Sequence, residues 1–142
     1  MIKTWIISLF LVLILQSAPA RPQQNSAYTP KTGSAERKAV LDAMRKPIVK
    51  QVGQNVIFHD VVMKVKDGWA FVTAVGKDPK GGPLRKFDGQ YFPSQALLRK
   101  KGRVWQVLSV GSGGGTDVAD QAMQKFPQAP REIFLPYKGP TP

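Results

Sequence analysis

The stretch NVIFHDVVMKVKDGWAFVTAVGK, residues 55–77, decides the fold. It holds two runs rich in valine, isoleucine and aromatic residues, which suit the pleated, half-buried surface of a strand. The runs meet at Asp67-Gly68. An Asp-Gly pair between strand-forming runs is a strong hairpin signal, because both residues tolerate the positive φ that a tight two-residue turn demands. The expectation is a hairpin with residues 55–66 leading in and 69–75 leading out.

Working outward, YFPSQALLRKKGRVWQVLSV (residues 91–110) gives a second hairpin, with strands at 96–99 and 104–110 and Lys101-Gly102 at the turn. The intervening GKDPKGGPLRKFDGQ is dense in turn dipeptides and reads as a long basic loop. Upstream, SAERKAVLDAMRKPIVKQVG starts with Ser34 as N-cap and places Ala35, Ala39, Val40, Ala43 and Met44 at helical spacing. Pro47 is expected to end or kink this helix, since proline has no amide donor. Downstream, TDVADQAMQKF predicts a short helix capped by Thr116 or Asp117, with Val118, Ala122, Met123 and Phe126 on one face. Residues 133–135 then read as an apolar edge segment and 137–142 as a disordered tail.

The order helix, hairpin, hairpin, helix predicts an α+β domain over residues 34–136: an N-terminal helix, a curved antiparallel sheet of two β-hairpins and a short C-terminal helix, with the helices on one face. Trp69 and Trp105, each early in an outgoing strand, suggest symmetric packing. The stretch ALLRKKGRVWQVLSVGSGGGTDV, a basic turn leading to a tryptophan-bearing strand, resembles the last hairpin of small exported bacterial proteins with cystatin-like and NTF2-like folds. The resemblance spans residues 34–126 and carries over no catalytic residue.

The N-terminus, MIKTWIISLFLVLILQSAPA, has Lys3, a short apolar run and small Ala18 and Ala20, the pattern of a secretory signal peptide cleaved after Ala20. Residues 21–33 read as a flexible leader. The expected destination is periplasmic or secreted, with no transmembrane helix left after cleavage. The chain contains no cysteine, which rules out disulfides, thiolate metal sites and a cysteine nucleophile. It has 21 Lys and Arg against 9 Asp and Glu, a net charge of +12, and only Lys3 of the cations precedes Ala20. Such an excess attracts anionic surfaces.

Three candidate sites follow. GSGGGT, from Gly111, lacks the third glycine of a dinucleotide fingerprint, where Thr116 stands, and has no lysine before Thr116 for a phosphate loop. It reads as a strand-to-helix connection. His59, the only histidine, stands beside Asp60 and forms a candidate cavity pair. Strand neighbours point to opposite faces, so the two are poorly placed to bond each other, and alternation with Val61, Met63 and Val65 makes His59 partly buried. Lys64, Lys66, Arg99, Lys100, Lys101 and Arg103 form a candidate basic patch if the hairpin tips lie side by side.

No catalytic residue, metal site or cofactor is assigned. The leading expectation is an exported, non-enzymatic binding module for an anionic envelope component or an acidic protein, and no specific nucleic-acid motif is present. The alternatives are an inhibitor or immunity-type protein acting on an acidic enzyme, and a small cavity enzyme using His59.

Overall fold

A computed structural model of the chain describes residues 26–84, 92–112 and 118–134. The signal segment, the start of the leader, Arg85, Lys86, Thr116, Asp117 and the tail lie outside the described residues. The elements are α1 (Ala35–Val52), β1 (Ile57–Lys66), β2 (Trp69–Lys77), β3 (Phe92–Lys101), β4 (Val104–Ser112), α2 (Val118–Lys125) and a 3-10 turn at Arg131–Phe134. The four strands form one antiparallel sheet in the order β1-β2-β3-β4. The α+β class and the two hairpins are as the sequence predicts.

At the first hairpin Asp67 has φ 49° and Gly68 φ 74°, the double positive φ that a type I′ turn requires. The second hairpin turns on Gly102-Arg103, with Lys101 paired to Val104, one residue later than expected. Here only Gly102 has positive φ, as a turn with glycine at its first central position allows.

α1 starts as its sequence dictates: the Ser34 hydroxyl accepts from the Arg37 amide at 3.2 Å. It ends at Gly53, whose φ of 71° lets its N–H reach the Val49 carbonyl. Pro47 does not end it. The helix runs on to Val52 because Val40, Met44, Ile48 and Val52 make a buried stripe on both sides of the proline. The burial of Ile48 and Val52 outweighs the loss of one helical hydrogen bond.

The helices are not on one face. α1 covers a cluster of Met63, Val65, Ala70, Val72, Ala96, Leu98 and Trp105, while α2 and the 3-10 turn cover Trp69, Phe71 and Leu97 on the other side. The two tryptophans therefore back onto different layers, although both are buried. Their symmetry fails by one residue: Trp69 directly follows its turn, Trp105 comes second after its own, and strand side chains alternate. Of the expected edge segment 133–135, Leu135 lies outside the described residues, and Ile133 and Phe134 do not form a strand. Instead Ile133 and Phe134 close the second layer from the 3-10 turn, the Phe134 ring 4.9 Å from that of Phe71. Both are buried because Trp69, Phe71 and Leu97 present an apolar face that α2 alone is too short to cover.

Part of the leader is anchored too. Tyr28 bridges Val65 through two backbone hydrogen bonds of 2.8 and 2.9 Å, outside the edge of β1.

Candidate functional site

The two hairpin tips lie at the same end of the sheet. Trp69 pairs with Arg99, and the Lys100 amide donates to the Gly68 carbonyl at 2.8 Å, so the second tip runs on past the first. This register brings the six basic residues to one end of the molecule, but it divides them between two faces and gives them different tasks.

On the α2 side, register aligns Lys66, Trp69, Arg99 and Gln106 across the sheet. The Arg99 guanidinium lies over the Trp69 ring, 4.6 Å from its centroid, and donates to the Asp67 carbonyl at 2.7 Å. It caps the layer and ties one tip to the other. Lys66 is paired with Glu132 at 2.6 Å, pinning the 3-10 turn to β1. That hydrogen bond also holds the Glu132 carboxyl below its ordinary pKa. Lys64, half-buried, aligns with Phe71 and Leu97 in the next row.

On the α1 side, the Lys100 ammonium lies 5.6 Å from the centroid of Trp105 and 3.8 Å from Glu36. Glu36 in turn accepts from the Tyr28 hydroxyl at 2.8 Å. Lys101 and Arg103 are exposed and form no ion pair among the described residues. Of the patch, then, Lys66, Arg99 and Lys100 hold the structure together, and Lys101 and Arg103 face outward at the tip.

The Tyr28–Glu36 contact has a titration consequence. Burial, reinforced by the bond to Glu36 and its charge, pushes the Tyr28 hydroxyl up from 10.0 to about 12. A raised folded pKa means stability that is complete below the unfolded value and lost as pH climbs through the folded one. Tyr28 is expected to contribute in full below pH 10.0 and to lose that contribution towards pH 12. The 295 nm difference titration between wild type and Tyr28→Phe checks this; a midpoint near 10 would show that the contact does not persist in solution.

His59 and Asp60 do not form a cavity pair. Both are exposed, and three cavities lined by described residues include neither. The cause is a bulge between His59 and Val62, where Asp60 adopts φ 49°. One extra residue reverses the alternation, so His59 no longer shares a face with Met63 and Val65. No group of three or more metal-ligating side chains occurs among the described residues. Among them also, no helix is long and apolar enough to cross a membrane.

A groove of ≈ 400 Å³ lies between α1 and β4, lined among others by Ala43, Lys46, Pro47, Trp105, Val107 and Val110. Sequence reasoning misses it, because its walls stand far apart along the chain and Pro47 reads as a stop to the helix that forms one of them. Among the described residues, the Ser94 hydroxyl and the Gln95 carbonyl oxygen, both on β3, are buried without a hydrogen-bond partner. Comparison with protein families, with curated proteins and with solved structures finds no match.

Proposed function

We propose that the chain is an exported, non-enzymatic binding module that holds an anionic partner at the end of the sheet where the hairpin tips lie. The observation that carries this reading is the register. It sets Arg99, Lys100, Lys101 and Arg103 around one protruding turn, next to the first tip. Arg99 and Lys100 are held on tryptophan faces, so part of this positive field is fixed in place before any partner arrives. Export is supported by the short apolar N-terminal run and the Ala-x-Ala site ending at Ala20.

Lys101→Gln with Arg103→Gln is the discriminating variant, because neither side chain packs on the fold. It is expected to melt like wild type and to bind anionic vesicles or an acidic protein column more weakly, with a shallower decline as salt rises. Adding Arg99→Gln and Lys100→Gln is expected to weaken binding further and to cost about 1 kcal/mol for each lost ring contact. Equal retention of wild type and the double variant at low salt would sink the reading.

A further inference from the structure

The two outer strands of this sheet are treated differently. An outer strand turns alternate N–H and C=O groups away from the sheet, where another chain can pair with them. On β1 that edge is occupied. Tyr28 takes both groups of Val65, Arg37 donates to the Val61 carbonyl at 3.3 Å, and the bulge at Asp60 breaks the ladder. Just ahead of the strand, Arg45 donates to the Val56 carbonyl at 3.0 Å.

Among the described residues, β4 has none of these devices except a bulge at Leu108. Its sequence, VWQVLSVGS, contains no charged residue and no proline, and Val104 is 68% exposed. The phase of the ladder says which groups are free. Lys101 and Val104 close the two-residue turn and form a hydrogen-bonded pair, while Lys100 gives its amide to Gly68 on the β2 side. Trp105, opposite Lys100, therefore turns its N–H and C=O outward, and Val107 does the same two residues on.

Alongside this open edge runs the groove between α1 and β4. Its wall is largely apolar, and Lys46 is the one charged side chain lining it, exposed at the rim with no ion pair among the described residues. On the helix side, Pro47 has no N–H to give to the Ala43 carbonyl, so that acceptor lacks its usual helical donor. An open strand edge flanked by a groove against a helix is the arrangement used to bind peptides by strand addition: backbone bonds supply affinity and alternate side chains enter the groove.

We propose that β4 is a docking strand for an extended segment of an acidic partner protein. The segment adds as a fifth strand, pairs with the outward groups of Trp105 and Val107, lays apolar side chains in the groove and brings a carboxylate to Lys46. This deepens the reading above and rests on the partner being anionic. Charge selects the occupant. A second copy brings the same cationic excess and a β4 without an acidic residue, and a lipid headgroup offers no peptide N–H or C=O to complete the ladder.

The test uses protein recovered from expression of the full chain and a fluorescein-labelled peptide of alternating valine and glutamate, with a valine–lysine peptide as control. The acidic peptide is expected to bind and to protect the Trp105 and Val107 amides from hydrogen exchange. Val107→Pro removes an outward N–H without breaking a bond within the sheet, and Lys46→Glu reverses the rim charge. Each is expected to weaken binding by about tenfold or more. If Val107→Pro fails to fold, Lys46→Glu carries the test alone.

Three outcomes overturn the proposal. The first is no binding, or no protection at Trp105 and Val107. The second is unchanged binding in every folded variant. The third is a dimer, seen by sedimentation, that Val107→Pro dissolves, which would assign the edge to a second copy. Retention on anionic vesicles that depends on Lys101 and Arg103, without protection at Trp105, removes the docking strand and leaves the earlier reading in place. Protection at Trp105 without any such retention does the reverse.

Discussion

Trp69→Ala and Trp105→Ala are each expected to destabilise the protein by about 3–5 kcal/mol, the range for emptying a buried aromatic site. Trp69 is 6% exposed and Trp105 5%. Because one packs with Phe71 and Leu97 and the other with Ala70, Val72 and Leu98, they share no cluster. Their losses are accordingly expected to add, with a coupling of no more than about 0.5 kcal/mol in the double mutant. Denaturant melts of the two single variants and the double variant measure this. A coupling well above about 1 kcal/mol would mean that the rings meet on one face, and losses below about 1 kcal/mol in both would mean that neither is buried. Each truncation also removes the platform under a tip cation, Arg99 or Lys100, so the proposed anionic partner is expected to be held less firmly as well.

Gly111→Ala is the second large effect, and it comes from a single methyl group. A Cβ at Gly111 would lie 2.2 Å from the Cγ2 of Val118, far inside contact distance. Val118 opens α2 and its branched side chain has little freedom to swing away. The sheet and α2 must move apart, at an expected cost of about 1–3 kcal/mol. Val118→Ala in the same chain removes the obstructing methyls and is expected to restore most of the loss. A thermal melt in which Gly111→Ala is silent would show that α2 does not sit against β4 at this point. The glycine that opens GSGGGT thus has a packing task, while residues 113–116 of that motif lie outside the described residues.

Hairpin chemistry is legible because it is local. Asp67-Gly68 specifies its turn through the dihedral angles of two residues, and Ser34 marks the helix start through one hydroxyl. What stays hidden depends on partners far along the chain. Nothing near Pro47 announces that Ile48 and Val52 are needed in the core, and that need keeps the helix going. The bulge at Asp60 is invisible to an alternation count, yet it decides which way His59 points. The layer assignment of Trp69 and Trp105 turns on a one-residue difference in turn position. The basic patch is legible as a composition but not as a set of roles, because Glu132 and Glu36, which engage Lys66 and Lys100, sit on elements distant in sequence.

The seating of α1 bears on how the protein comes into being. The helix packs most closely on β4, so part of its buried stripe waits for the last strand of the sheet. A chain synthesised from its N-terminus makes α1 early, yet must extend to residue 112 before that stripe is fully covered. Both hairpins form from near neighbours, whereas closing the first layer needs a loop of about fifty residues to be drawn in, a step whose entropy slows folding. The nascent chain is therefore held open until late in translation. Under the export proposed above, delayed closure would keep the chain threadable for longer.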